Sequence, residues 1–380
     1  MTVRYLQGLL ALLLSAVLLV GCGGNGPERG RSESGAEPAK IYRWKMVMAW
    51  PKNFPGLGTG AERFVDYVEA MSAGRLKIHV YGAGELVPPM EVFDAVSQGT
   101  VEMGHSASYY WKGKVPASVF FTSVPFGMTT AETNAWLHHG GGLELWREAY
   151  APFNIIPFAT GNTGVQMAGW FRREINGLGD LKGLKMRIPG LGGEVLHRVG
   201  GQPINIPGSE LYISMETGVI DAVEWVGPYN DLAFGFQNLS KGQRALHYYY
   251  PGWQEPTGTL ELLVNKAAFE GLPEDLQAIV EVAARAANQD MMDEYIAYSA
   301  RAYNDLVDKY GVEVNPLPME VLASLREASY QVLENIAAND ELAGRVHASQ
   351  QAFMANTVPY QRITEEAYIE VRRALEKPLE

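Results

Sequence analysis

Leu184-Lys185-Met186-Arg187-Ile188-Pro189-Gly190-Leu191-Gly192-Gly193 is the stretch from which the fold of this chain is read. Apolar residues alternate up to Arg187, the period-two pattern of a strand with one buried face. Pro189 and the glycines after it end the strand and allow backbone or a guest to approach closely. An arginine at such a strand end is suited to gripping a carboxylate through paired hydrogen bonds. The expectation is an organic acid held between two lobes, with Arg187 as its anchor.

The pattern has an upstream counterpart. Leu76-Lys77-Ile78-His79-Val80-Tyr81-Gly82-Ala83-Gly84-Glu85 matches 184–193 position by position. Ser97-Gln98-Gly99-Thr100-Val101-Glu102-Met103 likewise matches Glu216-Thr217-Gly218-Val219-Ile220-Asp221-Ala222, each a helix end, a capping glycine and a strand. The offsets, 108 and 119 residues, suit one duplicated α/β lobe with a small insertion, the alternative being chance similarity of short helix-glycine-strand pieces. Duplication would set Arg187 in the place of His79 and Glu224 in that of His105.

A chain of 380 residues is long for one core, which also favours two lobes. Tyr42 to Ala49 reads as a strand, Phe64, Val68 and Met71 as a helix face, and Thr100 to Met103 as a short strand opening into Gly104-His105-Ser106-Ala107-Ser108-Tyr109-Tyr110-Trp111. Ligands of open α/β sheets sit beyond the carboxyl ends of strands, so Tyr109, Tyr110 and Trp111 are candidate pocket walls. The chain crosses into the second lobe near Thr160 to Gln166, and a strand ending at Val223 delivers Glu224 and Trp225. After the polar-aromatic knot YYYPGWQEP (248–256), helical pattern runs unbroken from Pro273 to about Tyr310, roughly 55 Å, long enough to brace both lobes. Leu342 to Arg373 continues as an amphipathic stretch beyond a complete core and is read as a dimerisation arm, the alternative being packing on its own subunit. The expected organisation is lobe I at 41–160 plus 248–292, lobe II at 161–247 plus 293–340, and the arm at 341–380.

The formal charge of -12, with no basic cluster, argues against nucleic acid as a partner. Residues 1–21 read as a signal peptide, because the apolar run Leu9 to Val20 is too short to span a bilayer. Its ending, Leu19-Val20-Gly21-Cys22, resembles the lipobox of bacterial lipoproteins, implying cleavage before Cys22 and acylation of this single cysteine. Residues 22–40, rich in Gly, Ser, Pro and charge, form a flexible tether.

No nucleophile elbow, phosphate loop, His-Glu-x-x-His helix or cysteine cluster is present. His138 and His139 are neighbours and cannot face one metal from a helix. What remains is one cation, Arg187, with the hard-oxygen donors Gln166, Glu224 and Glu255, a set suited to Na⁺, Ca²⁺ or Mg²⁺.

From about Tyr42 onward the chain resembles the solute receptors of tripartite ATP-independent periplasmic (TRAP) transporters, in particular those that bind 2-oxo acids and lactate. The resemblance rests on Trp50-Pro51, Gly84-Glu85-Leu86-Val87-Pro88, Phe93-Asp94-Ala95-Val96, Met103-Gly104-His105, Tyr109-Tyr110-Trp111, Gly161-Asn162-Thr163-Gly164-Val165-Gln166, Met186-Arg187-Ile188-Pro189-Gly190, Asp221 to Pro228 and Tyr250 to Pro256. It implies two α/β lobes of periplasmic-binding-protein type, a long lobe-spanning helix and a C-terminal helical arm. It further implies a small carboxylate ligand contacted by Arg187, Gln166, Asn162 and Trp225 and walled by Trp50, Tyr109, Tyr110 and Trp111. A Na⁺ or Ca²⁺ ion would bridge it to Gln166, Glu224, Glu255 and the Trp225 carbonyl. The implied partners are the TRAP permease subunits and a second copy of the chain, with the receptor periplasmic and tethered to a membrane through Cys22.

Two rival readings have their own discriminators. A metal-dependent enzyme acting on a 2-oxo acid would need an acid-base pair beyond the metal ligands, and none is evident. A receptor that only signals to a partner would leave solute uptake intact when deleted.

Overall fold

The computed structural model describes residues 40–239 and 246–376; the expected signal peptide, Cys22 and all but the last tether residue lie outside them. The first sheet contains β1 (Tyr42–Met48), β2 (Leu76–Tyr81), β3 (Met103–Ser106), β4 (Ile155–Asn162) and β10 (Thr259–Asn265). The second contains β5 (Gly169–Phe171), β6 (Lys185–Arg187), β7 (Gln202–Ile204), β8 (Ala222–Val223), β9 (His247–Tyr250) and β11 (Val314–Pro316). Their strand orders are β2-β1-β3-β10-β4 and β11-β9-β5-β8-β6-β7. In the first, β1 is parallel to β2 and β3, while β10 is antiparallel to β3 and β4. In the second, β6 is parallel to β7 and β8, while β5 is antiparallel to β8 and β9.

The two sheets thus share one topology, with β11 added at the outer edge of the second. The equivalence differs from the one expected. β6 is an inner strand and matches β1, whereas the Leu76 strand is an edge and matches β7. Val47 pairs with Gly104 as Arg187 pairs with Val223, so Arg187 occupies the place of Val47 and not of His79. A strand followed by glycines looks alike at an edge and in the interior, which is why the pattern misaligned. The Ser97 and Glu216 segments do correspond, since β3 and β8 hold equivalent places, and Glu224 stands where the first sheet has His105.

Local chemistry explains the element ends. Two helices, Thr130–His139 and Gly142–Tyr150, follow one another closely and are separate because Gly141 adopts φ 84° between them. Gly218 caps Leu211–Thr217 at φ 77°, as expected. The strand expected at 100–103 lies at Met103–Ser106, all four residues buried. β9 belongs to the second sheet, so the chain returns to the first between 251 and 258 rather than at 248.

The helix Glu274–Asn304 spans 31 residues and continues through a π turn at Asp305–Lys309. Its face of Ala283, Ala284, Ala287, Met291 and Tyr295 is buried. It contacts β4 and Leu57–Met71 on the first sheet's side and Pro228–Phe234 on the second's, which is the brace its length requires. The helix Glu341–Gln361, a π turn and the helix Ala367–Leu375 form the C-terminal arm, and the last of these buries no residue.

Candidate functional site

The strand ends of both sheets converge on a closed cleft. Trp50, Leu57, Tyr109, Tyr110, Thr122 and Leu260 line it from the first sheet's side, and Gln166, Arg187, Trp225, Val226, Glu255 and Gly258 from the second sheet and the crossing segments. The space open to centres of water-sized guests is about 20 Å³, so the cleft accommodates only a small molecule.

Arg187 ends β6 and is 1 % exposed. Its Nη1 donates to the backbone carbonyl of Glu224 at 2.7 Å and to Glu224 Oε2 at 3.0 Å, and Nε donates to the Ile206 carbonyl at 3.4 Å. The guanidinium lies over the Trp225 ring, 4.9 Å from its centre. Nη2 has no partner among the described residues and remains available to an anion. Burial acts to lower the pKa of Arg187, but Tyr110, Glu224, Tyr109 and Glu255 around it leave it above the ordinary value.

Glu224 is fully buried; burial and the nearby Glu255 raise its pKa well above the ordinary range. Glu255 is pushed up to about 8 by burial, against the lowering influence of Arg187 and the Tyr109 hydroxyl. Gln166 donates from Nε2 to Glu255 Oε2 at 2.7 Å and to Thr163 Oγ1 at 3.0 Å. This orientation needs Gly258, since a Cβ there would lie 2.2 Å from Thr163 Oγ1 and 2.8 Å from Gln166 Nε2. Gly190 has a similar role: its φ is +60°, and a Cβ would press on the Tyr109 ring at 3.0 Å.

Two buried oxygens in this set receive no hydrogen bond, Gln166 Oε1 and Glu224 Oε1. Orphaned acceptors carry a desolvation cost of about 1–3 kcal/mol each unless something positive meets them. One arginine also faces two buried carboxyls whose ionised forms are already disfavoured, and a bound monoanion would add a negative charge beside them. A hard cation answers both needs, and these oxygen donors fit one. Among the described residues no three His, Cys, Asp or Glu side chains cluster as a metal set; the oxygens brought together here belong to two carboxyls, Glu224 and Glu255, and the Gln166 amide.

The first sheet contributes a neutral wall. Trp50 donates its indole N–H to His105 Nδ1 at 2.8 Å, and burial lowers the His105 pKa to about 3. Tyr109 and Tyr110 meet edge to face at 4.9 Å. Two residues expected to touch the ligand are placed elsewhere. Trp111 points into the core, where its indole N–H donates to Glu261. Asn162 ends β4 with both amide groups engaged, donating to Thr257 and Thr259 and accepting from Thr130 and Gly164, so it braces the crossing. Leu57, Thr122, Val226, Gly258 and Leu260 were not singled out by sequence: as apolar or small residues they carry no signal separating a cavity wall from ordinary core.

A cleft between two topologically equivalent α/β sheets, with a buried arginine at its wall, is the arrangement of a two-lobed solute-binding protein. The family model for DctP, bacterial extracellular solute-binding protein family 7, matches residues 46–340, and the chain belongs to this family of TRAP solute receptors, which are binding proteins and not enzymes. The chain is 44% identical over 326 residues, 86% of its length and 88% of the relative's, to a monocarboxylate 2-oxoacid-binding periplasmic protein of Nostoc sp.. It is similar to the crystal structure of a TRAP periplasmic solute-binding protein from Pseudoalteromonas atlantica T6c with bound sodium and pyruvate (43% identity, TM-score 0.83, 87% of this chain and 99% of that one). It is also similar to a TRAP transporter solute-binding protein from Bordetella bronchiseptica RB50, a mixed-occupancy dimer with copurified calcium and picolinate (36% identity, TM-score 0.85, 88% and 98% covered).

Proposed function

We propose that this receptor captures a small monocarboxylate, namely pyruvate, another 2-oxo acid or lactate, together with Na⁺ or Ca²⁺ and hands it to a TRAP permease. The observation that carries this reading is the closed cleft in which the free Arg187 Nη2 coexists with the undonated oxygens Gln166 Oε1 and Glu224 Oε1. Arg187 grips the carboxylate, and Gln166, Glu224, Glu255 and the Trp225 carbonyl hold the ion. The ion supplies the positive charge that lets an acid enter a pocket already containing two carboxyls. Trp50, Tyr109, Tyr110, Leu57 and Leu260 cover the ligand's remainder. The relatives bound to pyruvate with sodium and to picolinate with calcium support both the ligand class and the two candidate ions.

Titration calorimetry on ion-stripped protein tests this, with pyruvate or lactate as ligand and Na⁺ or Ca²⁺ supplied separately. Binding is expected only in the presence of one of the ions. Equal affinity after chelation and Na⁺ replacement refutes the ion, and no heat with either acid under any condition refutes the ligand class.

Two further parts of the reading concern assembly. The arm exposes Tyr360, Ile363, Tyr368, Val371 and Leu375, an apolar surface suited to a second copy, and the Bordetella relative is a dimer. Removal of 362–380 is expected to leave a monomer by light scattering. The anchor at Cys22 is supported by the lipobox resemblance alone, and Cys22→Ala is expected to release the protein from the membrane fraction.

A further inference from the structure

β10 is buried along its whole length, and its sequence, Thr259-Leu260-Glu261-Leu262-Leu263-Val264-Asn265, contains one acid. Glu261 has no exposed surface and no cationic partner among the described residues. Both its oxygens are bonded to ring donors: Oε1 accepts the indole N–H of Trp111, and Oε2 accepts the Tyr150 hydroxyl at 2.8 Å. Phe93 closes the surroundings, 5.4 Å from the Trp111 ring and 5.2 Å from that of Tyr150. An acid in such a place costs desolvation that a leucine would not, so its presence calls for a role beyond filling space.

Trp111 ends the 3₁₀ turn Ser108–Trp111. The start of that turn is also pinned from the core: Ser108 Oγ donates to the Ser118 carbonyl at 2.7 Å, and the Ser108 N–H donates to Thr122 Oγ1 at 2.9 Å. Between the two anchors lie Tyr109 and Tyr110, which line the cleft. One edge of the Tyr109 ring is already set against Gly190. The Tyr109 hydroxyl also meets Glu255. A further constraint on where these rings stand is the position of Trp111, whose ring meets that of Tyr110 at 6.1 Å, and Glu261 holds the only polar atom of the Trp111 side chain.

We propose that Glu261 is a positioning residue for ligand selection: through Trp111 it fixes Tyr109 and Tyr110 in the cleft wall and so limits the length of the acid the cleft admits. The inference rests on the 2-oxo acid reading above and deepens it, since it assigns the limit on chain length to a residue that never touches the ligand. Burial raises the Glu261 carboxyl to about 8, against the lowering influence of the hydrogen bonds from Trp111 and Tyr150.

The test is a ladder of straight-chain 2-oxo acids of three, four and five carbons, titrated with the ion present into wild type, Trp111→Phe, Glu261→Leu and Glu261→Gln. Trp111→Phe keeps the ring and loses the N–H, so it remains informative should Glu261→Leu fail to fold. Wild type is expected to lose affinity steeply with each added carbon. In Trp111→Phe and Glu261→Leu the ratio of five-carbon to three-carbon affinity is expected to rise at least about tenfold, whatever happens to Tm. Glu261→Gln still presents an oxygen to the indole and is expected to keep the wild-type ladder. A purely structural role would lower Tm and leave the ladders parallel, which overturns the inference while leaving the ligand reading intact. A wild type that binds none of the acids overturns the ligand reading and the inference with it.

Discussion

The two sheets carry opposite chemistry at equivalent places. Within β3 the first sheet has His105, neutral and accepting the Trp50 indole N–H; at the equivalent place just past β8 the second has Glu224, paired with Arg187. The first sheet's buried acid, Glu261, is bonded to rings and not to a cation. One fold repeated twice has been given a neutral aromatic wall on one side and all the charge-bearing contacts on the other. A monocarboxylate has the same polarity, a charged head and a short apolar remainder, so the asymmetry of the cleft sets the orientation of its guest. That division yields three measurements, each aimed at a different part of it.

The largest effect is expected at Arg187. Arg187→Met removes the anion's anchor and leaves Glu224 buried without its partner, which costs stability of about 3–5 kcal/mol. Losing a buried charge-assisted contact of about 2–5 kcal/mol weakens ligand binding from about thirtyfold to several thousandfold. Adding Glu224→Gln is expected to recover much of the stability and none of the binding. Chemical denaturation with calorimetry checks both, and pyruvate affinity within a few-fold of wild type in the single variant would remove Arg187 from the site.

How much of this was legible before the structure depends on how unusual a residue is in its setting. An arginine at the end of an alternating strand, or a glutamate delivered by one, is out of place in a core and so can be read from sequence. Gln166, Glu224, Glu255 and Arg187 do come together in one set. Facing is another matter. Tyr109, Tyr110 and Trp111 are adjacent in a single 3₁₀ turn, where successive side chains point about 120° apart, and composition cannot say that the third turns inward to Glu261. Asn162 sits in a motif beside the cleft, yet its amide is consumed by threonines. Edge and inner strands likewise share an alternating pattern, so the likeness of the two sheets was visible, and the Ser97 and Glu216 segments were aligned, while the Leu76 and Leu184 strands were not equivalent.

The neutral side of the cleft is tested by pH. Glu261 has a folded pKa of about 8 against an ordinary value of 4.5, so between these the native state holds a proton that the unfolded chain releases. Stability on this account falls as pH rises, by up to about 1.4 kcal/mol per unit, until Glu261 ionises near pH 8. His105 has the opposite sign: its folded value is about 3 against 6.5, so the unfolded chain takes up the proton first and stability is lost as pH falls below about 6.5. The window from pH 6.5 to 8 therefore excludes His105 but includes Glu224 and Glu255, whose values are also raised, so the contribution of Glu261 is read as the difference between wild type and Glu261→Gln. Denaturation there, with ligand and ion saturating, is expected to show a downward slope in wild type that Glu261→Gln flattens. The same slope in both proteins would mean that Glu261 is ionised in the fold.

The smallest effect belongs to the rim, where the two sides also meet through charge. Lys112, just past the first sheet's aromatic turn, pairs with Glu194 of the helix Gly190–Arg198 that follows β6. The partners are the same kind as in the buried pair, but each is 45% exposed, against 1% and 0% for Arg187 and Glu224. Water and salt screen the rim pair, and two long side chains lose freedom in forming it, so its contribution is at most about 1 kcal/mol. Lys112→Ala is expected to change pyruvate affinity less than about fivefold, with the difference vanishing at about 1 M salt, where the screening length is about 3 Å. Arg187→Met should keep its full defect at the same salt concentration. A rim variant with a large, salt-insensitive loss would show that charge on the first sheet's side also holds the cleft, and the division between the two walls would fail.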